Sequence, residues 1–124
     1  MENERREEMN HRQQNFAELI QAGISASDAD AFQRISRSLH KLDESLCNGF
    51  VDWRGNWDEA AEMRAEKRSN RLEGKATELA QKYGFIAYHQ SDPRGWSLYL
   101  VKPDQLGQYS IDAIYNRGIG VTPH

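Results

Sequence analysis

"GFIAYHQSDPRGWSLYLV", residues 84–101, is where the period of the chain changes. Ahead of it apolar residues recur every three or four positions; within it they approach strict alternation. "FIAYHQ" and "WSLYLV" are rich in β-branched and aromatic residues, and they flank "SDPRG". Asp92 accepts backbone hydrogen bonds at a first turn position, Pro93 presets φ at the second, and Gly95 tolerates positive φ. The stretch therefore predicts two antiparallel strands, about 85–90 and 96–101, joined by a type I turn with a glycine bulge. On the second strand Trp96, Leu98 and Leu100 share one face, and Ser97, Tyr99 and Val101 the other. Neither face is polar throughout. The sheet is expected to lie on helices on one side and keep a partly apolar surface on the other.

A two-stranded hairpin is marginal alone, and the C-terminal stretch supplies help. Pro103 closes the second strand, Ser110 can cap a short helix "IDAIYN", and Gly118 can end that helix in a left-handed conformation. "IGVT", residues 119–122, then reads as a third strand.

N-terminal to residue 84 the reading is helical. Residues 1–15 are almost wholly polar, but Met9, Phe16, Leu19 and Ile20 fall near helical spacing and predict a helix over about 4–21. Gly23 breaks it, and Ser27 with Asp30 forms a variant capping box for the next. Phe32, Ile35, Leu39, Leu42 and Leu46 step by three and four, the spacing of one narrow seam, with Arg34, Arg37, Lys41, Asp43 and Glu44 read as facing water. That seam needs a partner: another helix of this chain, or the same helix of a second copy in a homodimer. "CNG" at 47–49 ends the helix. The rings of "FVDWRGNW" (50–57) are expected to cover the end of the helical layer, with a partner-binding aromatic patch as the alternative. Asn56 with Glu59 is read as the cap of a third helix. Its face carrying Ala61, Ala65, Leu72, Ala76, Leu79 and Tyr83 is weakly apolar, and the remainder alternates in sign, which implies neighbouring opposite charges along a solvated helix. Gly84 stops it.

The fold class follows: α+β, an N-terminal layer of about three helices packed on a small C-terminal antiparallel sheet of two to three strands. Residues 1–124 make a single domain, with 1–25 a helical extension, 26–83 an antiparallel helical hairpin, and 84–124 the β-hairpin, short helix and third strand.

Composition narrows the function classes. Hydrophobic residues make up 38% of the chain and charged residues 28%, which suits exposed helices better than a thick sandwich. The net charge is −3 with basic and acidic residues interleaved, so non-specific nucleic-acid binding is disfavoured while a local patch is not. A single cysteine, Cys47, and the absence of a signal peptide or spanning apolar run point to the cytoplasm and away from membranes. The four histidines, His11, His40, His89 and His124, are far apart in sequence and offer no metal-ligand spacing, and no cofactor motif is present.

His89, Ser91 and Asp92 are the residue types of a nucleophile relay, but lying within one hairpin they cannot converge around a pocket. His89 reads instead as a cross-strand packing residue. Arg94, mounted on a rigid turn beside Trp96, could grip a carboxylate or phosphate, and Arg117 could join it. The candidate contact surface is therefore Asp92, Arg94 and Trp96, with Tyr99, Tyr115 and Arg117 nearby.

The run "AYHQSDPRGWSLYL", followed by "IDAIYNRGIGV", resembles a recurrent pattern in small, uncharacterised proteins encoded by tailed phages and prophages. The resemblance spans roughly residues 32–122, implies a phage or prophage accessory protein in a bacterial host, and carries over no catalytic or binding residue. Residues 1–30 look like an addition to that theme. Three functions are in view. The first is a non-enzymatic protein that binds a host or phage protein, as an antagonist of a host defence complex of the anti-CRISPR type would. The second is a nucleic-acid-binding accessory protein using Arg64, Arg68 and Arg71 of the third helix with Arg94, Trp96 and Tyr99 as base-stacking partners. The third is an enzyme or binder of a small anionic ligand using Arg94, Arg117, Tyr115 and His89.

Overall fold

The computed structural model describes residues 2–90, 96–105, 114 and 118–123. Helix α1 (Glu2–Gln21), helix α2 (Ala26–Asn48) and helix α3 (Glu59–Lys82) precede strands β1 (Ile86–His89), β2 (Leu98–Val101) and β3 (Ile119–Val121), with a short 3₁₀ turn at Pro103–Gln105. The three strands form one antiparallel sheet in the order β1-β2-β3, with Ile86 opposite Val101, His89 opposite Leu98, and Leu98 opposite Val121. The fold is α+β, with helices packed on a small sheet.

The ends of α1 and α3 have a local cause. At the end of α1 the Gly23 N–H reaches the Ile20 carbonyl and the Ile24 N–H reaches the Leu19 carbonyl, with Gly23 at φ 93°. This pair of bonds is the Schellman arrangement, and its companion apolar contact is present because Leu19 and Ile24 are both buried. The same device closes α3: Gly84 (φ 75°) bonds Gln81, Phe85 bonds Ala80, and Ala80 and Phe85 are core residues. Both termination signals thus also anchor a chain reversal in the core.

Two caps differ from the sequence reading. Ser25, not Ser27, caps α2, its hydroxyl accepting from the Asp28 N–H at 3.2 Å. Asp28 takes the place of the box acid, but Tyr83 intervenes: its hydroxyl accepts the Ser25 N–H and donates to the Asp28 carboxylate, which Lys82 also contacts at 3.1 Å. The end of α3 therefore caps the start of α2, which a local motif cannot express. At α3 the cap is Asp58, which accepts from the Ala61 N–H at 3.0 Å, while the Asn56 carbonyl is engaged inside the preceding loop.

The main core gathers Leu19 and Ile24, then Phe32, Ile35 and Leu39 of α2, Ala76 and Ala80 of α3, and Phe85, Leu98, Leu100 and Val121 around the sheet. Of the seam proposed for a homodimer, Phe32, Ile35 and Leu39 are enclosed by this chain's own residues and Leu42 is half-buried. Phe32, Ile35 and Leu39 are therefore not presented to a second copy; Leu46 lies outside the described side chains.

The second sheet face corrects another expectation. Tyr99 and Val101 are fully buried with Ile114, and Tyr88 and Trp96 pack against them, so β2 is covered on both faces. Trp96 precedes β2, and the alternation does not extend to it: its ring lies where a Cβ on Gly120 would stand. Gly118 is glycine for a steric reason, not the left-handed conformation foreseen, since a Cβ there would meet the Ile114 carbonyl at 2.6 Å and Val101 at 2.8 Å. The "SDPRG" turn and most of "IDAIYN" lie outside the described residues.

The polar helix α1 joins the core through one amide. Asn15, 3% exposed, donates to the Gly120 carbonyl at 2.6 Å and accepts from the Thr122 N–H at 3.0 Å. Gln33 donates to the same Asn15 oxygen, and Ser36 donates to the Val121 carbonyl at 2.7 Å. The Asn15 side chain thus pairs with the outer edge of β3 as a neighbouring strand would. Replacing it by alanine strands a buried carbonyl and a buried N–H, each worth about 1–3 kcal/mol. Asn15→Ala is expected to lower the unfolding free energy by about 2–4 kcal/mol, against about 1 kcal/mol for Ser36→Ala, measured by urea denaturation.

Candidate functional site

Of the residues assigned from sequence to a contact surface, Asp92, Arg94, Tyr115 and Arg117 lie outside the described residues. Tyr99 is 0% exposed and is a core residue, so it cannot form part of a contact face or stack on bases. Trp96 is half-buried against Gly120 and the Tyr99 cluster, which leaves it a structural lid more than a free ring.

His89 is neither a cross-strand packing residue nor an anion ligand. Its ring leaves the sheet and sits between two helices: Nδ1 lies 2.5 Å from a Glu73 carboxylate oxygen on α3, and Nε2 lies 3.0 and 3.1 Å from both Asp43 oxygens on α2. A neutral imidazole has one N–H, so only the imidazolium can donate to both carboxylates. Consistently, the Asp43 hydrogen bond raises the His89 pKa above its ordinary value; burial opposes this, and Glu73 adds to the rise. Asp43, read from sequence as facing water, is largely covered. The Ser97 hydroxyl donates to Asp43 at 2.5 Å rather than to His89. In a nucleophile relay the histidine stands between hydroxyl and carboxylate. Here the carboxylate stands between the other two, and both ring nitrogens are occupied. The group is an ion bridge fastening β1 to α2 and α3. Two carboxylates around His89 also make the position hostile to an anionic ligand. Among the described residues no cluster of His, Cys, Asp and Glu is arranged to hold a metal ion, and no helix is long and apolar enough to cross a membrane.

The feature that stands free is the loop between α2 and α3. Residues 50–58 form a small hairpin: Val51 bridges Trp57, the Asp52 N–H bonds the Asn56 carbonyl, and the Asp58 N–H bonds the Phe50 carbonyl at 2.7 Å. The Gly55 N–H closes a four-residue turn on the Asp52 carbonyl, and Gly55 has φ 81°. One Asp52 carboxylate oxygen accepts the N–H groups of Arg54 and Asn56, both at 2.9 Å. "DWRG" is thus a turn built by the chemistry that the sequence predicts for "DPRG": aspartate at the first position and glycine at the last. The base is stapled by Trp57, whose indole N–H donates to Glu62 at 2.7 Å and whose ring meets Phe50 edge-on at 6.1 Å.

At the tip Trp53 is 86% exposed, with the Arg54 guanidinium 4.6 Å from its ring centroid. Val51, Trp57 and Met63 are also more than half exposed. Trp53 and Trp57 stand largely in water while Phe50 is half-buried: α3 has no buried residue between Glu59 and Lys75, and α2 none among the described side chains after Leu39. The distal ends of α2 and α3 form an arm, about 20 Å long on α3, tipped by an ordered aromatic turn.

A third feature is an open groove of about 600 Å³ between α2 and α3, floored by Ala31, Ile35, Leu72 and Leu79. Two of its cations are engaged locally, Arg34 with Asp30 and Lys82 with Asp28.

No family model matches this chain, and no curated protein or solved structure was found to be similar to it.

The ion bridge has a pH signature. Because the folded-state pKa of His89 is raised, its contribution to stability is complete below the ordinary value of 6.5 and is lost as pH rises through the folded pKa. The opposite sign holds for Asp28, whose pKa is lowered chiefly by the Tyr83 hydroxyl and then by Lys82; its contribution is present above 3.8 and is lost as pH falls below that value. The urea midpoint of the wild type is expected to fall between pH 6 and pH 9, and His89→Gln should flatten that fall while leaving the acid limb in place.

Proposed function

We propose that this protein is a non-enzymatic binding module that engages a protein partner through the Trp53 hairpin. The carrying observation is an 86% exposed tryptophan on a turn whose backbone and side-chain hydrogen bonds are already made. Leaving so large an apolar ring in water is unfavourable in isolation, and tryptophan and arginine are the residues most enriched at the energetic centres of interfaces. Preorganisation of the turn removes part of the ordering cost of binding. The partner that fits is a protein with an apolar pocket for the indole and an acidic rim for Arg54.

The finer reading is a phage- or prophage-encoded antagonist of a host defence complex, acting by occlusion of a surface within the bacterial cytoplasm. Its support is the likeness of "AYHQSDPRGWSLYL" and "IDAIYNRGIGV" to small phage-encoded proteins, together with the absence of a formed relay around His89 among the described residues.

Quantitative affinity capture from bacterial lysate, followed by calorimetry with the recovered protein, tests the assignment. Trp53→Ala is expected to weaken binding by about 2 kcal/mol or more, roughly thirtyfold, while shifting folding stability by no more than about 0.5 kcal/mol. Arg94→Ala distinguishes the two surfaces: retained binding in that variant and loss in Trp53→Ala assigns the hairpin, and the reverse pattern moves the face to the 91–95 turn.

A further inference from the structure

The charges of α3, which alternate in sign along the sequence, separate in space. At about 100° per residue, Arg64, Lys67, Arg68, Arg71 and Lys75 fall within about a third of the helix circumference, at spacings i, i+3, i+4, i+7 and i+11. Glu59, Glu62, Glu66 and Glu73 fall on the opposite side. The positions themselves bear this out. Glu62 takes the Trp57 indole and Glu73 takes His89, both away from the basic side, whereas all five cations are exposed. Among the described residues none of the five forms an ion pair, so the neighbouring opposite charges read from the sequence do not pair through these cations. Past Lys75 the line meets Glu78 and then Lys82, which is engaged with Asp28, so the basic ridge ends at Lys75.

We propose that this ridge is a second binding surface, for the phosphate backbone of nucleic acid. It goes beyond the protein-binding reading and rests on different residues. The overall charge of −3 does not oppose it locally. The acidic side lies across a helix about 10 Å wide, more than the roughly 8 Å screening length at physiological salt. Three of the five cations are arginines, whose planar fork pairs with phosphate oxygens through two hydrogen bonds. No apolar side chain interrupts the line, so it lacks the buried anchor that a protein partner would use. From Arg64 to Lys75 the cations extend about 16 Å along the axis, a linear array suited to an extended anion. Contacts of this kind track phosphates without reading sequence.

Fluorescence anisotropy with labelled duplex DNA, single-stranded DNA and RNA of equal length tests the assignment across a salt series. Binding at low salt is expected, with log affinity falling linearly in log salt at about −0.9 per phosphate on duplex or −0.7 on a single strand; the strand form bound more tightly identifies the source. The triple variant Arg64→Gln, Arg68→Gln, Arg71→Gln should reduce the slope by about one per arginine, equally for unrelated sequences. Glu59→Gln with Glu66→Gln, and Trp53→Ala, should leave the slope unchanged, which separates this surface from the hairpin. Thermal melts establish that the triple variant is folded. The proposal is overturned by no binding to any probe at the lowest salt, by a slope the triple variant does not alter, or by labelled polyglutamate binding as tightly as the nucleic acids, which would mark the ridge as a site for an acidic protein.

Discussion

A three-residue strand at the edge of a small sheet cannot hold itself in place, and β3 is such a strand. One of its edges pairs with β2, and the other would offer bare carbonyl and N–H groups to water or to another chain. Asn15 removes that exposure by placing one amide against the Gly120 carbonyl and the Thr122 N–H, with Gln33 and Ser36 completing a buried polar tie from α2. Much else depends on this arrangement. Val121 is thereby held in the main core beside Leu98 and Leu100, and Gly120 is held beneath the Trp96 ring. Helix α1, polar for most of its first fifteen residues, is thus an integral support of the sheet and not an appendage.

The remainder of the molecule divides by distance from that core. Near it, His89 with Asp43 and Glu73, and Tyr83 with Asp28 and Lys82, clamp strand to helix and helix to helix with charged and hydroxyl groups. Away from it, no described side chain of α2 past Leu39 or of α3 before Ala76 is fully buried, and the two helices lead into the aromatic turn. Fixing residues in an arm costs conformational freedom without the return of a core. Its order comes instead from local devices: the Asp58 cap, the Asp52 turn and the Trp57–Glu62 bond. A surface so built is available to a partner without first unfolding anything. An exposed indole stands at its tip, and exposed cations line part of α3.

Local chemistry determined much of this protein from sequence alone. The change of period at residue 84 separated helices from strands, the seam Phe32-Ile35-Leu39 marked the buried face of α2, and Gly23 and Gly84 marked helix ends, because each of these signals is carried by residues within a turn or two of one another. The third strand was legible for the same reason. Caps were misplaced by two residues because several Ser, Asp and Asn side chains compete at each start, and the choice falls to neighbours such as Tyr83 that lie 58 positions from Ser25.

The functional surface was decided by tertiary structure. Tyr99 alternates correctly for an exposed face, yet it is buried, since Ile114, Tyr88 and Trp96 pack with it on the second side of the sheet. Asp43 and Glu73 were indistinguishable from solvated helix charges until packing brought them, 46 and 16 positions away, to either side of His89. The rings of "FVDWRGNW" were assigned to covering the helices, because sequence does not show where a core stops. Hydrogen-bond chemistry and periodicity act over a few residues and can be read in order along the chain. Exposure, charge segregation and ion bridging depend on which distant segments meet, and only the folded chain fixes that.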